Sequence, residues 1–168
     1  LLRLSIYMQI ENQDMTTLKN HLLTLNVTNA YDITSYLQAL TIVGINANDD
    51  ALSLMNNDLE DPDFMGMAYT ALYGYETLEG FDTYLADSYT YIQTTLYEDG
   101  VVSWGNANAS STAQMILGLV AQGINPQDEA YQTNGVGLVE SLMAYESDGV
   151  FKWGLNDDKN DPMFSTPQ

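Results

Sequence analysis

The feature that most restricts what this chain can become is one sentence written twice. "DGVVSWGNANASSTAQ" runs from Asp99 to Gln114, and "DGVFKWGLNDDKNDPMFSTPQ" runs from Asp148 to Gln168. Each passes from Asp-Gly through an apolar pair to Trp-Gly, crosses an Asn-rich loop of variable length, and reaches Ser-Thr-x-Gln. A second echo lies in apolar sequence, where "DITSYLQALTIVGIN" (Asp32 to Asn46) aligns without gaps to "STAQMILGLVAQGIN" (Ser111 to Asn125). Both copies close on Gly-Ile-Asn, with Gly44 and Gly123 where the C-terminal cap of a helix belongs. "FMGMAYTALYGYE" (Phe64 to Glu76) reads as a third, more divergent copy, and the closing "MFSTPQ" as the start of another. Copies spaced by roughly 32 to 50 residues suit stacked two-helix units.

The segments between the copies have a different character. Phe81, Tyr84, Leu85, Ser88, Ile92, Thr95 and Leu96 fall on one helical face. Leu138, Val139, Leu142 and Met143 make a similar stripe, with acidic residues on the opposite side, as expected of helices with one wet face. Met115 to Ala121 is apolar almost all round, which predicts a helix buried on both sides. Alternation of the two kinds predicts an all-α fold with inner and outer helix layers. The hairpins span roughly Leu1 to Leu25, Asp32 to Leu59, Phe64 to Tyr97 and Ser110 to Glu146, and a fifth begins at Met163. Strand signals are weak; "GVVSW" and "GVFKW" suit extended turns or a two-strand ornament. The 168 residues suffice for one domain and are too few for two of ordinary size.

The combined pattern, an outer helix, Asp-Gly-x-Phe-x-Trp, a polar loop, and Ser-Thr-x-Gln opening an apolar helix, resembles the α/α-toroid superfamily. That superfamily includes terpene cyclases, protein prenyltransferase β subunits, cobalamin carriers and many bacterial surface proteins. The likeness is greatest to bacterial secreted proteins with prenyltransferase-like repeats and covers most of the chain from Asp32 onward. It implies a partial toroid of about four hairpins in one domain, residues 1–168, belonging to a longer protein, because a closed ring of this kind uses about six hairpins. The open edge is expected to be sticky and to be covered by the rest of the protein or by a homodimer partner. The implied role is non-enzymatic binding or adhesion outside a bacterial cell or on its surface, with a glycan or protein as ligand. Two alternatives stand beside it: a small-ligand domain resembling the cobalamin carriers, and a degenerate enzyme of the cyclase or prenyltransferase kind.

Charge and missing side chains narrow these classes. Four Lys and Arg against 23 Asp and Glu give a net charge of −19, a surface that repels nucleic acid and anionic lipid. No apolar run approaches the roughly 20 residues that span a bilayer. With no Cys and one His, His21, the Asp-Cys-His zinc site of the prenyltransferases cannot be built. The Asp-x-Asp-Asp acid motif of the cyclases has no better counterpart than "NANDD" at Asn46 to Asp50. No catalytic residue, metal ligand or cofactor is therefore assigned. Asn156, Asp158 and Asn160 alternate like the start of a calcium loop, as do Asn46, Asn48 and Asp50, and Asn106, Asn108 and Ser110. No Gly or Glu follows at the calcium-loop positions, and Asn and Asp favour turns and caps in any case. "NVT" at Asn26 and "NAS" at Asn108 match glycosylation acceptors.

The candidate ligand-binding residues come from the doubled sentence: Trp104, Asn106, Asn108 and Gln114 in the first copy, Trp153, Asn156 and Gln168 in the second. An aromatic face beside amide donors and acceptors is what a sugar-binding surface needs. The competing expectation is that Trp104 and Trp153 are plugs buried between hairpins, alongside Val101 and Val102 or Val150 and Phe151. Ser111 or Thr112, and Ser165 or Thr166, are expected to cap the inner helices.

Overall fold

The computed structural model describes residues 2–57 and 60–157. Asp158, Asn160, Ser165, Thr166, Gln168 and the fifth hairpin expected from Met163 lie outside the described residues. Among those described there are eight α-helices: α1 (Leu2–Ile10), α2 (Thr16–Leu22), α3 (Ala30–Ile42), α4 (Asn48–Met55), α5 (Pro62–Ala71), α6 (Phe81–Gln93), α7 (Ala109–Ala121) and α8 (Leu138–Met143). With 53% of the chain helical and every strand two to four residues long, the protein is helix-rich. No helix among the described residues is long and apolar enough to cross a membrane.

The odd-numbered helices form a row, α1 on α3, α3 on α5 and α5 on α7. The even-numbered helices flank it: α2 and α4 lie against α3, and α8 against α7. Side chains tie α6 to α5, through a 2.6 Å hydrogen bond between the Tyr69 and Ser88 hydroxyls and an edge-on contact of the Tyr69 and Tyr84 rings. Taken two by two along the chain, the eight helices fall in the four segments expected as hairpins, but α2 packs against α3 rather than against α1, its expected partner.

Local hydrogen bonding explains where the row helices start and stop. At the N-termini of α3, α5 and α7 an Asn or Asp oxygen accepts from the first turn: Asn29 from Tyr31 and Asp32, Asp61 from Phe64, and Asn108 from Ser111. Asn108 therefore holds the position expected for Ser111 or Thr112. Thr112 instead joins α7 to the preceding turn, donating to the Asn108 carbonyl and accepting from the Val101 amide at 3.0 Å. At the C-termini of α3 and α7, Gly44 and Gly123 sit at φ 72° and 69°. Ile45 N–H reaches Leu40 O and Ile124 N–H reaches Leu119 O, the paired bonds of a left-handed helix stop. Asn46 and Asn125 then accept from the amides two residues on. Equivalent bonds at both ends extend the gapless alignment upstream to Asn29 and Asn108.

The closest helix pair is α5 with α7. A Cβ at Gly118 would lie 2.5 Å from the Gly66 carbonyl oxygen, and one at Gly66 would lie 2.6 Å from that of Gln114. Both glycines are needed because the opposing atoms are backbone and cannot turn aside.

Among the described residues three short hairpin turns lie between helices and a fourth follows α8. β1 (Leu96–Tyr97), β2 (Gly100–Ser103) and β3 (Asn106–Ala107) form an antiparallel sheet ahead of α7. β4 (Gln132–Thr133) pairs with β5 (Val136–Gly137), and β6 (Glu146–Ser147) with β7 (Val150–Phe151). The two copies of Asp-Gly do not turn alike. In the first, Tyr97 pairs with Gly100 across Glu98 and Asp99; in the second, Ser147 pairs with Val150, so Asp148 and Gly149 are themselves the turn.

Two expectations about burial are corrected. Helix α7 is not buried all round, since Leu117 and Val120 are 49% and 57% exposed while Met115, Gly118 and Leu119 face the core. In α8, Val139 and Met143 are exposed and the buried side is Leu138 and Ser141. The α6 stripe holds for Phe81, Ser88 and Ile92, which are buried; Thr95 and Leu96 are buried too but lie beyond the end of the helix at Gln93, Leu96 in β1.

Candidate functional site

Three of the residues singled out in the doubled sentence come together in a cleft of about 270 Å³. Asn106 at the start of β3, and Trp153 and Asn156 beyond β7, line it with Asp99, Tyr145 and Asp157. The cleft exists because the second copy of the sentence folds back onto the start of the helix that follows the first. Ala109, the first residue of α7, donates its N–H to the Trp153 carbonyl at 3.0 Å. Gly154 N–H donates to Asp157 Oδ2 at 2.7 Å and so holds the loop beyond Trp153 closed. Tyr145, fully buried, donates its hydroxyl to the Asp99 carbonyl.

The lining pairs one indole with amides and carboxylates. Trp153 is 36% exposed, so part of its surface remains available. Asn106 and Asn156 are exposed and supply donors and acceptors; Asp99 and Asp157 supply acceptors only. Burial, then the negative charge of Asp99, pushes the Tyr145 hydroxyl up to about 12. Burial likewise pushes Tyr131 up to about 12. Both are neutral in the fold, whereas an unfolded phenol ionises near 10. Their contribution to stability is complete below pH of about 10 and is lost as pH rises through about 12. The melting temperature should therefore fall steeply between these values, and less so in Tyr145→Phe; an unchanged melting temperature at pH 12 would contradict the assignment.

The remaining candidates lie elsewhere. Trp104 does not line the cleft; it is 77% exposed, so it is no plug between hairpins. It forms the β2–β3 turn with Gly105, at φ 57° and 88°. Such a two-residue turn favours Asn and Gly, and a bulky side chain there is strained. Its indole Nε1 donates to Asp63 Oδ2 at 3.1 Å, and Ser103 Oγ reaches the same oxygen at 3.4 Å. Trp104→Ala should shift stability by less than about 1 kcal/mol, as for most surface changes; a larger loss on chemical denaturation would mean the indole is holding the turn in place.

Asn108 is 1% exposed and spends its amide on the cap and on the Ser103 and Asn106 carbonyls, leaving it no surface for a ligand or for glycosylation. Gln114 is half-buried, with its carbonyl and Cγ packed against Gly66. His21 is exposed on α2, as expected of a lone surface histidine. Among the described residues no three His, Asp or Glu side chains are grouped to hold a metal ion. Sequence reasoning missed Asp99, Tyr145 and Asp157; the alignment of the two copies, which places Asp99 opposite Asp148, carried no sign that they meet.

No protein-family model, curated protein or solved structure matches the chain.

Proposed function

We propose that this chain is a non-enzymatic binding module that takes a neutral, hydroxyl-rich ligand such as a terminal sugar in the Trp153 cleft. The observation that carries the reading is the convergence of one part-exposed indole with Asn106, Asn156, Asp99 and Asp157 in one small cleft. An apolar ring face stacks on an aromatic, while amides and carboxylates accept and donate at the ring hydroxyls. Two carboxylates beside a net charge of −19 disfavour anionic ligands such as sialylated or sulfated glycans.

The row of odd helices flanked by even ones supports membership of a larger α/α-toroid-like array, in which the cleft lies at the N-terminal end of α7. An adhesive or receptor role on a bacterial surface follows from that resemblance, and so does coverage of the exposed α7 side chains by further repeats or a second copy. A glycan array probed with the purified chain tests the ligand class. Binding to neutral glycans, lost in Trp153→Ala and in Asn156→Ala with melting unchanged, supports the proposal. Binding that survives both substitutions, or none at all, removes it.

A further inference from the structure

A larger cavity, about 460 Å³, shares no lining residue with the Trp153 cleft and lies between α4 and α6. Its wall is mixed: Leu52 and Met55 from the end of α4, Met65 from α5, and the rings of Tyr84 and Tyr91 from α6 make the apolar part, and Asn56, Asn57, Thr83 and Ser88 add polar groups. Tyr91 is anchored through its hydroxyl to the Glu60 carbonyl at 2.9 Å, which fixes one ring of the wall. Three exposed carboxylates, Glu60, Glu79 and Asp87, belong to the same lining, and among the described residues no Lys, Arg or His does. The Tyr84 hydroxyl is buried without a hydrogen-bond partner.

We infer that this cavity binds an organic cation, an ammonium group carried on an apolar or aromatic body. The apolar part of the wall alone would accept any greasy molecule, and the carboxylates alone would gather any cation loosely. Together they select a ligand that carries both features, because the body removes apolar surface from water while the charge meets two phenol rings and uncompensated acids. A bare metal ion is a poor match, since among the described residues no three His, Asp or Glu side chains are grouped to hold one. This inference does not depend on the Trp153 cleft and would stand if that reading fell.

Calorimetric titration with benzyltrimethylammonium chloride tests it. Saturable binding to one site is expected, with benzyl alcohol, which lacks the charge, binding at least about tenfold more weakly. The double variant Glu79→Gln/Asp87→Asn should weaken the cation by at least about tenfold. Glu11→Gln/Glu129→Gln removes the same charge outside the cavity and should change affinity less than about twofold, and Trp153→Ala should leave it unchanged. Absence of saturable binding overturns the inference. So does equal weakening by both double variants, which would mean general attraction to an acidic surface, or equal affinity for benzyl alcohol.

Discussion

Replacing Gly118 with alanine should destabilise the protein by about 3 kcal/mol, at the upper end of the range for overpacked positions. The sign is opposite to what helix propensity suggests. In an open helix the change would gain about 1 kcal/mol. Here the new methyl carbon would stand 2.5 Å from the Gly66 carbonyl oxygen and 2.9 Å from the Gly66 Cα. Neither atom can rotate away, so α5 and α7 must separate, and the contacts of Met115 and Leu119 with the core loosen with them. Gly66→Ala should act similarly, because its methyl would meet the Gln114 carbonyl. The double variant should cost less than the sum, since one separation relieves both clashes. Urea denaturation of the three variants checks this. A stabilised Gly118→Ala would mean that the two helices do not approach as described.

Asn108→Ala is expected to cost a similar amount, roughly 3 kcal/mol, by a different route. Loss of an N-cap accounts for about 0.5–2 kcal/mol. The remainder reflects the burial of the Ser111 amide that the cap satisfies, because a group left without a partner and closed to water costs up to about 3 kcal/mol, whereas the Ser103 carbonyl keeps its place opposite Asn106 in the β2–β3 ladder. Asn108→Ser should recover part of the loss, because its hydroxyl can still accept from Ser111. If Asn108→Ala melted like the parent chain but lost ligand binding, its assignment as a cap would be wrong and its place in the binding surface restored.

Those two residues mark the boundary of what could be read without coordinates. Asn108 was visible as a polar residue in a conspicuous motif, and its chemistry suited a ligand and a cap equally. The choice was decided by burial, which sequence does not print. Gly118 gave no signal beyond lowering helix propensity. Trp104 and Trp153 occupy equivalent places in the doubled sentence and were expected to share a fate. One instead forms a strained, exposed turn tethered to Asp63, and the other edges the cleft. The shift in hairpin register between the copies is part of the reason, because displacement by one residue re-aims every side chain after the turn.

The amino-acid sequence by itself determined that the chain is helix-rich and that α3 and α7 stop at Gly44 and Gly123, since helical bonds and cap bonds close within a few residues of the side chains that make them. Tertiary structure alone decided which side of α7 is covered, which asparagines are spent on the backbone, and which residues meet across the cleft. Leu117 is as apolar as Leu119, yet one is exposed and the other fully buried. Burial belongs to the neighbours a helix acquires, and those neighbours arrive from tens of residues away.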